Sequence, residues 1–236
     1  MNFIAHFYVD KHVDDSLFFV GVSTPDWVSI FDRNVRVKES LMPLIMENEA
    51  TSDELSFYNG VMRHLEIDRQ FHSSSFFTSE TREIIRLIEK HLGKENVPRS
   101  FFVAHILFEL VLDKVLIQAD SSLLSRYYEH LENCRIDRMV QLTEWVASTP
   151  LPRYDGFLKK FISKRYLYQY TDWDHLIYVL RRILERVHLK EVSYLYEPAF
   201  MRLLHEYEEG LTQRYPVQML QFKGIESAAP LRKRIA

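Results

Sequence analysis

Apolar residues recur along this chain at spacings of three and four, and the pattern predicts helices almost from end to end. No run of Asn-Gly or Asp-Gly hairpins interrupts it. The first short helix is expected over residues 2 to 10, followed by a mixed segment with Pro25 and Pro43 over 11 to 50. Ser52 reads as an N-cap, with Asp53 and Glu54 favourably placed in the first turn of a helix reaching about His72. "SSSFFTSE" breaks the periodicity. Thr78 then begins a helix that "REIIRLIEKHLGK" carries to a glycine stop at Gly93. Ser100, after Pro98, opens the apolar stretch "FFVAHILFELVLDKVLI", and further helices fit 121 to 133, 137 to 147, 155 to 166, 172 to 188 and 196 to 213.

There is no internal repeat, low-complexity tract or Gly/Ser linker, so one domain over 1–236 is the expectation. Its class is all-α, a compact multi-helix bundle. With 6 Gly and 8 Pro against 16 Phe and 13 Tyr, tight turns are few and large side chains fill the space between long elements. The stretch from 101 to 117 approaches membrane-spanning length, but His105, Glu109, Asp113 and Lys114 are costly in lipid, and it reads as a buried helix. "MNFIAHFYVDKHVDD" lacks a basic leader and does not read as a signal peptide. A cytoplasmic location is expected, and the single cysteine, Cys134, suits a reducing compartment and excludes an internal disulfide framework. The net charge of −3 supplies no electrostatic reason for nucleic acid or an anionic membrane as partner.

Candidate chemistry lies where the core should be. On the helix containing "GVMRHLEIDRQFH", residues advance about 100° each, so Phe57, Val61, Leu65, Asp68 and His72 share a face with His64 on its shoulder. Arg63, Glu66 and Gln70 are expected opposite. His105, Glu109 and Asp113 form a second stripe at steps of four on the apolar helix. A buried carboxylate without a partner costs several kcal/mol, so each stripe predicts the other, or a cation, as its complement. Eight residues of helix rise roughly 12 Å, so one ion cannot take both His64 and His72. Asp68 and Glu109, the middle members, are expected to face one another. His, Asp and Glu are suitable ligands for Mn, Fe, Zn or Mg. Hydrogen bonding along each helix is the plainer alternative.

Several short segments together resemble bacterial acyl carrier protein phosphodiesterases. "MNFIAHFY" is similar to the family's Asn-Phe-Leu-Ala-His opening. "GVSTPDW" resembles its Gly-Asn-x-x-x-Asp segment at Gly21 and Asp26, and "GVMRHLEID" its Gly-x-x-x-His-x-x-Ile-Asp segment at Gly60, His64, Ile67 and Asp68. "VAHILFELVL" lies at its Asp-x-x-x-Asp-His, with His105 and Glu109 at the two Asp positions. "YLYQYTDWDHLIYVL" and "QRYPVQM" resemble later segments. The resemblance implies a helical fold related to the His-Asp (HD-domain) metal-dependent phosphohydrolases. It further implies release of 4′-phosphopantetheine from holo acyl carrier protein by phosphodiester hydrolysis, and it adds His6 and Asp26 to the candidate ligands. The departures are His72, where the family has Asp, and Leu110, where it has His; the imidazoles tilt the site towards Zn, Fe or Ni.

The expected metal set is therefore His6, Asp26, His64, Asp68, His72, His105 and Glu109, holding a divalent ion that activates water, with Asp68 and Glu109 as catalytic carboxylates. Lys160, Lys164 and Arg165, beside Tyr166, Tyr168 and Tyr170, form a candidate surface for an acidic carrier protein or a small phosphoester. A solvated helix face is the alternative there. Two other functions compete: a non-catalytic helical binding module, and a metal hydrolase acting on a different phosphate ester. "TDWD" at 171 to 174 reads as an N-cap, and Cys134 as an idle thiol.

Overall fold

A computed structural model describes residues 1–37 and 50–223. Its described residues form ten α-helices and no strand. These are α1 (Phe3–Val9), α2 (Ser16–Phe31), α3 (Ser52–Ser73), α4 (Ser75–His91), α5 (Ser100–Ala119), α6 (Ser122–Glu132), α7 (Ile136–Ala147), α8 (Tyr154–Lys164), α9 (Trp173–Arg186) and α10 (Pro198–Lys223). The expected all-α bundle is thus the observed class. Pro43 lies outside the described residues.

The largest correction is α2, which occupies ground expected to be mixed. Asp15 caps it by accepting from the Phe18 N–H, and it buries Phe18, Phe19, Val20, Val22, Trp27 and Val28. Being apolar on most sides, it carries little 3.6-residue contrast to read. Pro25 sits inside it and removes one ladder donor. In the preceding turn Ser23 donates to the Phe19 carbonyl at 2.9 Å and Thr24 to the Val20 carbonyl at 2.8 Å, so both buried hydroxyls are satisfied within the helix.

Element ends shift where capping chemistry is stronger than the expected residue. Thr51, not Ser52, caps α3, exchanging bonds with Glu54 in a capping box. Ser74 caps α4, which therefore starts three residues before Thr78. Asp172 caps α9 as expected, accepting from the Asp174 N–H at 2.8 Å. α10 continues through Pro216 to Lys223.

α2 and α3 cross backbone to backbone. A Cβ on Gly21 would lie 2.0 Å from the Phe57 carbonyl oxygen, and one on Gly60 2.0 Å from that of Phe18. α5 runs through the core with Val103, Ala104, Phe108, Val111, Leu112 and Leu116 fully buried. α1, α4 and α10 pack around it. Each fully buried Phe or Leu contributes roughly 1.5–3 kcal/mol of transfer free energy. No described helix is long and apolar enough to cross a membrane.

Two polar residues of the core correct the helical-wheel reading. Arg63, expected on the outer face, is buried and grips Asp10 in a two-pronged pair, Nε to Oδ2 at 2.8 Å and Nη2 to Oδ1 at 3.0 Å. The α1–α2 turn covers that side of α3. Asp113, the third member of the α5 stripe, accepts from the backbone N–H groups of Ile4 at 3.1 Å and Ala5 at 2.7 Å. It therefore caps α1 from a distant part of the chain, where Asn2 makes no side-chain cap.

Candidate metal centre

His6 sits in the middle of α1, and the Asp113 cap holds that short helix against α5. The His6 ring stacks on that of His64 with centroids 3.9 Å apart and planes at 20°. His64 is oriented by its own ring: Nδ1 lies 2.7 Å from the Val22 carbonyl and donates there, leaving the Nε2 lone pair for the site. That Nε2 is 3.9 Å from Asp26 Oδ1, and His6 Nε2 is 3.9 Å from Asp68 Oδ1. The close Gly21–Gly60 crossing is what lets Asp26 of α2 and His64 of α3 meet.

His72, one turn beyond Asp68, extends the centre towards α5. Its Nδ1 lies 2.8 Å from the Asp68 carbonyl and 3.3 Å from Asp68 Oδ2. Its Nε2 lies 2.9 Å from His105 Nε2 and 3.1 Å from Glu109 Oε1, and His105 Nε2 is 3.0 Å from the same oxygen. Asp68 and Glu109 do face one another. Both reach the α-ammonium of Met1, at 2.6 Å and 3.3 Å.

All seven ligand candidates thus meet in one region, in two groups. The donors of His6, Asp26 and His64 lie within 4.8 Å of one another, as do those of His72, His105 and Glu109, with Asp68 between. His6 Nε2 and Asp26 Oδ2 are buried with no hydrogen-bond partner. A buried polar atom left unpaired costs about 1–3 kcal/mol, so two in one pocket fit a site for a bound cation. Imidazole nitrogens and carboxylate oxygens match the donor preferences of first-row divalent ions.

Burial depresses the pKa of His6 well below that of free histidine, with the neighbouring His64 adding to the effect, and takes His64 to about 4 against the pull of Asp68. Both rings are neutral at physiological pH, as ligands must be. Burial also raises Asp26 well above the usual carboxylate range, against the pull of the Met1 ammonium. For Asp68, burial acts upward, but His72 and the Met1 ammonium outweigh it and hold the carboxyl far below its ordinary value. Glu109 is lowered in the same way by the ammonium, His105 and His72. His72 is lifted to about 9 because its bonds to Asp68 and Glu109 outweigh burial.

Beside Glu109 opens a cavity of about 700 Å³. Its walls include Phe3, Leu110, Phe161 and Tyr170, and the exposed cations Lys160, Lys164, Arg182 and Arg186 line it as well. Lys160 and Lys164 make no ion pair among the described residues. Arg165 is placed differently. Its guanidinium clasps Glu132, with Nη2 2.7 Å from Oε2, and it does not line the cavity. Arg182 and Arg186 were not among the residues expected from the sequence. Their spacing of four on α9 was the available signal, but nothing in it told which way that face points. Cys134 is raised to about 11 by burial, as befits an idle thiol.

Comparison with protein-family models, with curated proteins and with solved structures finds no match to this chain.

Proposed function

We propose that this protein is a metal-dependent phosphodiester hydrolase of the kind its short segments resemble, one that releases 4′-phosphopantetheine from holo acyl carrier protein. One observation carries the reading: His6, Asp26, His64 and Asp68, from three helices, converge on a pocket where two of their buried polar atoms have no partner.

A divalent ion held by these residues would polarise a phosphodiester oxygen and lower the pKa of a bound water. The chain's own groups supply the rest. Asp68 and Glu109 are held ionised and can accept a proton from an attacking water. Stacking and the bond to Val22 fix the His64 ring, so its Nε2 stays aimed at the centre. The adjoining cavity takes the arm of the substrate, and Lys160 and Lys164 meet the acidic carrier.

Leu110 in the cavity wall, where the family has His, favours a second reading: the same hydrolysis on a different phosphate ester. A panel of phosphodiesters set beside holo acyl carrier protein separates the two. The test of the shared chemistry is elemental analysis of untagged protein purified without chelator, with hydrolysis of bis(p-nitrophenyl) phosphate measured alongside. Bound metal and turnover are expected in the parent; turnover should disappear in Asp68→Ala and in Glu109→Ala, and stoichiometric metal should be lost in the double variant. Stoichiometric metal and hydrolysis surviving in the double variant, or no metal in the parent, would overturn the proposal.

A further inference from the structure

Resting on that metal reading, we infer that the centre holds two divalent transition-metal ions: one in the His6, Asp26 and His64 group, and a second on His72, His105 and Glu109, with Asp68 between them. Helix spacing by itself requires no more than one shared cation.

The second group has the geometry of one face of a coordination sphere. His72 Nε2, His105 Nε2 and Glu109 Oε1 form a nearly equilateral triangle with edges of 2.9, 3.1 and 3.0 Å. An ion about 2.1 Å from each atom would sit roughly 1.2 Å off the plane of that triangle. Hydrogen bonds close the same triangle poorly. If both rings donate to Glu109, two N–H groups are crowded along the nitrogen–nitrogen edge; if only one donates, its single proton is divided between Glu109 Oε1 and the other ring's nitrogen, whose lone pair then still faces that oxygen. One cation satisfies all three donors.

His72 is also oriented for the task from outside the triangle. With its Nδ1 proton given to the Asp68 carbonyl at 2.8 Å, the ring turns Nε2 towards the triangle, where a bound cation would displace any proton on it, the usual outer-shell arrangement for a metal-binding imidazole. The two groups cannot share one ion, because His64 and His72 are separated by roughly 12 Å of helix rise. Asp68 stands between them, Oδ1 3.9 Å from His6 Nε2 and Oδ2 3.3 Å from His72 Nδ1.

Burial separates the two sites in strength. His6 and His64 have side chains 2% and 5% exposed, whereas those of His72 and His105 are 30% and 27% exposed. The second ion is therefore the weaker and more readily exchanged, and Glu109 places it at the wall of the substrate cavity.

The experiment is a Mn(II) titration of the full chain after chelator treatment, read by elemental analysis and by electron paramagnetic resonance. Two equivalents are expected, the second binding more weakly and altering the spectrum of the first. His105→Ala, and independently His105→Gln, should retain one equivalent with the spectrum of an isolated ion, and circular dichroism confirms that each variant is folded. One equivalent in the parent, unchanged by either substitution, overturns the second site and leaves the proposed hydrolase standing. No bound metal in the parent overturns both.

Discussion

Gly21 of α2 and Gly60 of α3 meet at the helix crossing with no room for a methyl group on either, since a Cβ at each position would lie 2.0 Å from a carbonyl oxygen of the opposite helix. This contact sets the distance between Asp26 and His64, each about a turn farther along its own helix.

Gly60→Ala and Gly21→Ala should therefore force the helices apart. A loss of about 1–3 kcal/mol or more is expected in urea unfolding, as for overpacked cores. Folded material should also bind metal more weakly than Gly156→Ala protein, a control position where an added Cβ meets nothing within 4 Å. Unchanged stability and metal affinity would show that the crossing does not set the site.

Asp113 should behave as a structural carboxylate. Replacing it with Ala leaves the buried N–H groups of Ile4 and Ala5 without their acceptor, at a cost on the order of 3 kcal/mol. Hydrogen exchange should show α1 opening before the rest of the bundle, which displaces His6 although Asp113 touches no candidate ligand. Thermal melts and amide exchange of Asp113→Ala check this, and equal protection of α1 in the variant and the parent would contradict it.

Removing metal should expose opposite pH dependences on either side of neutrality. His64 has its folded pKa lowered to about 4, so its unfolded form binds more protons between pH 4 and 6.5; stability present above 6.5 is lost as pH falls through this window. The contribution is on the order of 3 kcal/mol, and His6 acts in the same direction. His72 has a folded pKa raised to about 9, so its contribution is full below 6.5 and is lost as pH rises to 9. Asp113, raised to about 7 by burial, opposes the acidic limb between pH 4 and 7, so each limb of chelator-treated protein is read as the difference between parent and variant. Denaturant midpoints from pH 4 to 9 measure this, and His64→Gln should remove part of the acidic dependence, His6 keeping its share, and leave the alkaline limb unchanged.

The Arg63–Asp10 pair is buried, and breaking one side strands the other charge. Arg63→Met should cost about 3–5 kcal/mol, and adding Asp10→Leu should restore much of it. A double-mutant cycle in urea reads the coupling.

Lys160 and Lys164 line the cavity without ion-pair partners among the described residues. Charge reversal at both should raise KM for holo acyl carrier protein at least tenfold, with little change for a small neutral-tailed phosphodiester. An unchanged KM would remove these lysines from substrate binding.

The chain's periodicity was enough for the all-α class, for most helices and for the two inward rows centred on Asp68 and Glu109, because a 3.6-residue repeat and side-chain polarity are local properties. Resemblance of short segments added His6 and Asp26 to the candidates. α2 escaped because a helix buried on most sides has no polar face to betray its phase. Arg63 and Asp113 were misjudged or left open for a related reason: a helical wheel gives a direction, but not what stands there. The tertiary structure decided that the α1–α2 turn covers Arg63, that Asp113 caps α1, and that the ligands divide into two groups. It also turned α8 and α9 so that their cations line one cavity. Each of these depends on where helices distant in sequence cross and how closely they approach, and that is settled by packing between them, not by any repeat within one.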